Sequence, residues 1–395
     1  MSALRDALLA GCLLAPLATA AQDLDVAALA LADQAPVVTP AASDWRSFVE
    51  AGAGSGASRR LSLDLQYEHA VSAQWSISFA DRFDVNWPGR HAINTLKDAF
   101  ASWRPDAGTM LDAGRINLRN GVALGYNPTD YFGRAAVRSV VSIDPASLKE
   151  NRQGSTMLRG QKVWDSGSFT AVWAPAQDGV GVAHPARMLL AASQKIGVLA
   201  PQVLAYREGS QPAQFGLNVT SLLGDATVAF VEWSGGRSVS QLAASAGTGP
   251  QERRWRNQAS AGLTYTAPNR LSVTAEYHHD GRGADDAAWD MVRHGPLPLY
   301  GLYRKQAQAL QVLPTRRELF FHARWQDAFV PRLDLSAMHN VDLIDPSRRL
   351  WLEARYHAGR FDYALQWQRH RGEALSNYGA LSATNGWQAT LRSYF

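Results

Sequence analysis

Trp387-Gln388-Ala389-Thr390-Leu391-Arg392-Ser393-Tyr394-Phe395, the last nine residues, put Trp387, Ala389, Leu391 and Phe395 on one face of a strand and Gln388, Thr390, Arg392 and Tyr394 on the other. The same two-faced pattern recurs up the chain. Leu61, Leu63, Leu65 and Tyr67 oppose Ser62, Asp64, Gln66 and Glu68, and Leu271, Val273, Ala275 and Tyr277 oppose Ser272, Thr274, Glu276 and His278. Leu319, Phe321, Ala323 and Trp325 oppose Glu318, His322, Arg324 and Gln326; Phe361, Tyr363, Leu365 and Trp367 oppose Asp362, Gln366, Gln368 and His370. A sheet with one greasy and one polar face can leave no open edge in lipid, so it spans a bilayer only as a closed barrel. The polar face then lines a lumen.

The start of the chain agrees with export. Residues 1–20 read as a signal peptide, with Arg5 early, an apolar run from Ala7 to Leu17, and Ala18-Thr19-Ala20 as a small-x-small cleavage site. Leu9-Ala10-Gly11-Cys12 resembles a lipobox, but too little apolar chain precedes Cys12 and the run continues past it. Cleavage after Ala20 removes the only cysteine, leaving a mature chain with neither a disulfide nor a thiolate metal site. No later stretch approaches the ~20 apolar residues of a membrane helix, so any spanning is done by strands; a mean hydropathy of -0.22 fits that. A formal charge of +4 gives no argument for nucleic acid. The 13 Trp, 12 Tyr and 32 Gly suit interfacial aromatic girdles and many turns.

Residues 21–44 lack period-two alternation and read as a periplasmic extension, partly helical over 26–32; residues 45–395 read as one barrel. The expected strands are 45–54, 59–70, 73–86, 92–104, 107–118, 154–164, 168–175, 187–196, 199–208, 213–222, 226–234, 255–266, 270–279, 315–326, 330–340, 347–357, 360–370 and 386–395. With an even count, both chain ends and every second connection lie in the periplasm and must be short. The sequence obeys: the long connections 119–153, 176–186, 235–254, 280–314 and 371–385 all fall in the other set. The fold class is therefore all-β, a transmembrane antiparallel β-barrel of about 18 strands with long extracellular loops and short periplasmic turns. The closing strand, with its terminal aromatic, resembles that of bacterial outer-membrane barrels. Asp81 falls on the lipid face unless a bulge intervenes.

In these registers the lumen collects Arg82, Arg115, Arg159, Arg254, Arg256, Arg324, Arg355 and Arg392 against Asp64, Glu68, Glu276, Glu318, Asp334 and Glu353. Fixed positive charge in a narrow wet channel concentrates anions; the plainer reading is that mixed charges pair across strands and solvate the wall. Gly114-Arg115-Ile116-Asn117-Leu118-Arg119-Asn120-Gly121, followed by Gly125-Tyr126-Asn127-Pro128-Thr129-Asp130-Tyr131-Phe132, is similar to the loop-entry motif of outer-membrane channels related to the alginate-export family. That resemblance implies eighteen strands, an arginine-rich selectivity region passing an anionic polysaccharide, and Arg115 and Arg119 at the constriction. The residues themselves support a tight turn at Asn127-Pro128, capped by Asp130.

The connection 280–314 carries Trp289, Met291, Leu299, Tyr303 and other apolar residues, with helices expected near 285–293 and 303–311. It is expected to fold over or into the mouth as a lid, or else to cap neighbouring loops. His278-His279 cannot chelate one ion, since adjacent strand residues face opposite ways. No nucleophile elbow, zinc helix or phosphate loop is present. The leading expectation is a passive outer-membrane channel for an anionic or polyhydroxylated, sugar-like solute, with polysaccharide export as one form of it and inward aromatics such as Trp351 as stacking platforms. A general diffusion porin, a lipid-hydrolysing barrel and a structural barrel are the alternatives. No cofactor, metal or nucleic-acid partner is expected; the partners are outer-membrane lipid and the solute, and the sequence leaves the oligomeric state open.

Overall fold

A computed structural model of the chain describes residues 44–177, 184–247, 252–381 and 384–395. The expected signal segment and, save Asp44, the extension after it lie outside these residues. Eighteen strands follow: β1 Trp45–Gly54, β2 Arg59–Ala70, β3 Trp75–Trp87, β4 His91–Asp106, β5 Thr109–Ile116, β6 Ser155–Trp164, β7 Gly167–Ala174, β8 Arg187–Gln194 and β9 Leu199–Glu208. The second half holds β10 Gln214–Leu222, β11 Thr227–Ser238, β12 Arg254–Thr266, β13 Leu271–Asp280, β14 Arg317–Trp325, β15 Leu333–Asp342, β16 Arg348–Ala358, β17 Phe361–Arg371 and β18 Asn385–Tyr394. Each pairs antiparallel with its sequence neighbours, and β1 pairs with β18, from Phe48 opposite Tyr394 to Gly54 opposite Gln388. The sheet is closed.

Alternation decides which side each residue takes. On β2, Leu61 and Leu63 are exposed on the outer surface while Ser62 and Asp64 are buried on the inner one, the reverse of a water-soluble domain. Aromatic rings crowd the short-turn end of this outer face: Trp75 stacks on Trp103 at 6.0 Å and Trp45 lies 4.4 Å from Tyr67. Trp87, Trp173, Trp255 and Trp387 stand exposed near the other end. Two aromatic belts with Leu and Val between them are how a barrel sits in a bilayer.

Expected and observed strands agree closely, with instructive departures. β5 stops at Ile116, not 118, because Asn117 and Leu118 already turn into the lumen, where both are buried. β15 starts at Leu333, not 330, after a turn in which Asp327, Phe329 and Arg332 all take positive φ. The register shifts between Ala80 and Asp81 in the β3–β4 pairing, but the extra residue is Lys97 on β4, so Asp81 stays on the outer row with Phe83, where the amide of Asn94 donates to it at 2.9 Å. Among the described residues four α-helices lie in the connections: α1 Pro145–Glu150, α2 Gln241–Ala246, α3 Asp286–His294 and α4 Leu297–Leu310.

Candidate functional site: an arginine-lined cavity behind an inward-folded segment

The β5–β6 connection, residues 117–154, enters the barrel. Its anchors are two wall carboxylates. Glu232 of β11 accepts the backbone N–H groups of Val122 (2.9 Å), Ala123 (3.1 Å) and Thr129 (2.7 Å), together with the Thr129 hydroxyl and the Asn127 amide. Glu276 of β13 accepts those of Leu124 (2.6 Å) and Gly125 (2.9 Å). An irregular segment inside a barrel must find partners for its backbone groups, and here an ionised carboxylate, an acceptor only, supplies several at once. Gly121 makes this approach possible: it takes φ +99°, and a Cβ there would stand 2.6 Å from both Glu232 oxygens.

Further contacts spread round the wall from mid-barrel to the long-loop end. Tyr126 donates to Asp280 at 2.9 Å and accepts from Gln258 at 2.7 Å; Tyr131 meets Ser234 at 2.9 Å. Ser139 bonds Asp84, His322 lies 3.3 Å from Asp144, and Gln388 donates to the Val141 carbonyl at 3.3 Å. Tyr131 and Phe132 pack into an apolar cluster with Met157, Val172, Leu189, Leu204 and Tyr206 on the β6–β9 wall. Within the segment the amide of Asp130 bonds back to the Asn127 carbonyl at 3.2 Å, the tight turn expected at Asn127-Pro128. The Asp130 carboxylate, expected to cap that turn, pairs with Arg152 instead.

Between the segment and the β12–β16 wall lies a cavity of about 130 Å³. Its lining holds five cationic side chains, Arg134, Arg138, Lys149, Arg282 and Arg349, and one carboxylate, Asp130. Arg282 pairs with Asp280 at 3.0 Å. Arg134 donates to Gln214, Gln258 and the Pro128 carbonyl, and Arg349 to Asn340. Arg138 reaches only the Gly133 carbonyl, at 3.3 Å, and its buried Nε has no partner. Among the described residues no carboxylate comes within ion-pair distance of Arg134, Arg138 or Arg349. Burial, then the neighbouring Arg282, pushes the Arg134 guanidinium below its usual range; burial, then Arg152, pushes Arg138 down to about 10. Burial outweighs the one carboxylate of the lining, Asp130, which Arg152 already holds.

Most of the sequence-named arginines are elsewhere and already neutralised. Arg82, fully buried, sits among Glu50 (3.1 Å), Asp84 (3.1 Å) and Asp64 (3.6 Å), and Arg392 also meets Glu50, at 2.9 Å. Arg159 pairs with Asp112 at 2.6 Å, Arg324 with Asp334 at 3.2 Å, and Arg355 with Glu353 at 3.0 Å. Of the two readings of the lumen charges, the plainer one describes the strands: most of these arginines pair with carboxylates of the wall. Arg254 is an exposed rim residue paired with Glu252 at 2.7 Å, and Arg256 donates to the Ser238 and Gly281 carbonyls. Arg115 donates to the Gly154 carbonyl at 2.7 Å, closing the base of the inward segment, and Arg119 stands exposed just beyond it, off the cavity wall.

The named carboxylates act as structural acceptors. Glu276 and Glu318 flank the buried His278 at 2.7 and 3.3 Å, Glu318 also takes the Tyr378 hydroxyl, and Glu353 takes the Gln366 amide. His279, as expected, faces the other way, half-buried. Trp351 is not an open stacking platform, for it is buried beneath Leu124 and Ile143 of the inward segment. The helical connection α3–α4 caps its neighbours: the Trp289 indole donates to Asp345 at 2.7 Å and Arg304 to Asn377 at 2.7 Å. The two ends of the connection reach the cavity, Arg282 at its start and Gln311 and Val312 after α4, with Gln311 donating to the Ala136 carbonyl. The obstruction in the lumen is residues 117–154, not 280–314.

Sequence reasoning missed Arg134, Arg138, Arg282 and Arg349. The available signal was the apolar content of 117–154 (Leu124, Tyr126, Tyr131, Phe132, Val141, Ile143), the same sign of a packed connection that was read in 280–314.

A closed eighteen-stranded barrel with an apolar outer belt and an inward-folded segment is the fold of outer-membrane barrels of the porin type. The chain is similar in structure to the outer membrane protein OprD from Pseudomonas aeruginosa, at 12% identity and a TM-score of 0.53 over 89% of this chain and 92% of that one. It is similar also to Pseudomonas aeruginosa OccD3 (OpdP), at 12% and 0.53 over 89% and 90%, and to Acinetobacter baumannii OccAB1, at 11% and 0.54 over 89% and 95%. No protein-family model and no curated protein sequence matches it. At such identities the likeness is one of fold, and the resemblance to alginate-export channels is narrowed to the porin-like barrel.

Proposed function

We propose that the protein is an outer-membrane channel that conducts small anionic solutes through a constriction made by residues 117–154. The observation that carries this is the cavity beside that segment, where among the described residues Arg134, Arg138 and Arg349 have no acidic partner, while Arg82, Arg159, Arg324, Arg355 and Arg392 of the wall each have one. Guanidinium groups held in a partly dehydrated site by neutral acceptors keep donors free for a carboxylate or phosphate. The likeness to outer-membrane porin structures supports the channel half of the reading. A cavity of about 130 Å³ favours small solutes over the polyanionic polysaccharide that export would require, and the burial of Trp351 removes the support for a sugar-stacking track.

Planar-bilayer recording under a salt gradient tests this. The expected reversal potential is that of an anion-preferring pore, moving toward zero in the double variant Arg134→Gln/Arg138→Gln. Cation preference in the native protein would overturn the anion assignment, and absence of conductance would overturn the channel.

A further inference from the structure

Three arginines stand on the outer, lipid-side face of the barrel at the long-loop ends of β16 and β17. Parity fixes their side. On β17, Tyr363, Leu365 and Trp367 face outward, so Arg369 and Arg371 do too, whereas Gln366 and His370 are buried toward the lumen. On β16 the outward row Leu352, Leu350 continues to Arg348, while Trp351 and Arg349 face in. Register places Arg348 directly opposite Arg371, and Leu350 opposite Arg369; on the other side of β16, His339 faces Leu350 and Val341 faces Arg348.

Like charges directly opposed across strands destabilise a sheet, their Cβ atoms being only ~5 Å apart. No acid offsets these. All three arginines are exposed and make no ion pair or hydrogen bond among the described residues. The nearest carboxylate in sequence, Glu373, pairs with Arg293. Asp342 and Asp345, near the start of β16, are buried and bound to Thr315, Asn377, Trp289 and Ser347.

The apolar belt begins immediately below the arginines, with Leu350, Leu352, Leu365 and Trp367. An apolar groove of about 550 Å³ on the same outer face, lined by Val231, Leu263, Tyr277, Leu319 and Phe321 among others, ends at β14, where Phe321 stacks on His339 of β15 at 6.4 Å, one strand short of the arginines. Strand polarity puts this end of the barrel at the cell surface, since the short turns mark the periplasm.

We propose that this face binds a phosphorylated lipid of the outer leaflet, with the phosphate held between Arg348, Arg369 and Arg371 and acyl chains lying on the belt and in the groove. The site needs an anion because opposed guanidinium groups lack one, and needs a lipid because the apolar belt of the same two strands continues it into the membrane.

Native mass spectrometry of the full folded barrel in detergent, with bisphosphorylated lipid A and its dephosphorylated form offered together, reads the site. The native protein should retain the phosphorylated form by about tenfold or more over the other. Arg348→Gln/Arg369→Gln/Arg371→Gln should bring the two forms level, whereas the corresponding triple lysine variant should keep most of the preference. Equal retention of the two lipids by the native protein, or an undiminished preference in the glutamine variant, would overturn the proposal. Displacement of the lipid by millimolar inorganic phosphate would likewise overturn it, by reassigning the site to a soluble anion. Anion selectivity in the bilayer should be the same in all three proteins, which keeps this test separate from that of the channel.

Discussion

Arg134 and Arg392 carry the same charge in the same barrel, and what separates them is their company. Arg392 is 2.9 Å from Glu50, so the pair presents little net field, while Arg134 is held by Gln214, Gln258 and a carbonyl and keeps its full charge. The double variant Arg134→Gln/Arg138→Gln should therefore lower the anion-to-cation permeability ratio by about two- to fivefold, and Arg392→Gln should leave it nearly unchanged; reversal potentials decide between them. The sign of the pH dependence follows from the cations. A guanidinium with a lowered pKa is charged below that value, and Arg138 sits at about 10, so selectivity should be flat between about pH 5 and pH 8, the histidine range. A change there would transfer selectivity to histidine. Glu232→Gln keeps the shape but turns one acceptor oxygen into a donor facing backbone N–H groups, at a cost of about 1–3 kcal/mol. Faster hydrogen exchange at Val122 to Thr129 and noisier open-channel current should report it.

The inward segment was half legible as an element. Its length, its turn at Asn127-Pro128 and its position between two strands could be read from the sequence, because turn chemistry is local. Its path across the lumen could not, because that path depends on carboxylates more than 100 residues away in the chain, Glu232 and Glu276. The contrast with 280–314 is one of available partners: both connections are apolar enough to pack, but α3 and α4 find Asp345 and Asn377 on adjacent loops, whereas 117–154 finds the wall. Since the only β-pairing of the segment among the described residues is the bridge Arg138–Arg152, outside the barrel ladder, deleting residues 121–150 should leave the β-sheet signal in circular dichroism nearly intact and raise single-channel conductance by about twofold or more. Loss of the folded barrel would show instead that the segment is a structural core.

At the scale of the whole molecule, the charge in the cavity acts over a distance set by salt. Screening lengths fall from ~10 Å at 0.1 M to ~3 Å at 1 M, so anion preference should weaken steadily as the salt is raised at a fixed gradient. A preference independent of salt would instead require direct coordination at each step. The barrel itself was written in the chain: eighteen segments, most of them clearly two-faced, every long connection confined to one of the two alternating sets, and a closing strand with its faces sorted. Local alternation is enough for that, since lipid outside and water inside impose the same rule on every strand. Which cations are free was decided only by the tertiary structure. Neutralisation is a contact between residues such as Arg82 and Glu50, or Arg159 and Asp112, that meet only once the sheet has closed and set its register; alternation tells which way a strand arginine faces, but not which carboxylate it meets, and on the inward connection it tells neither.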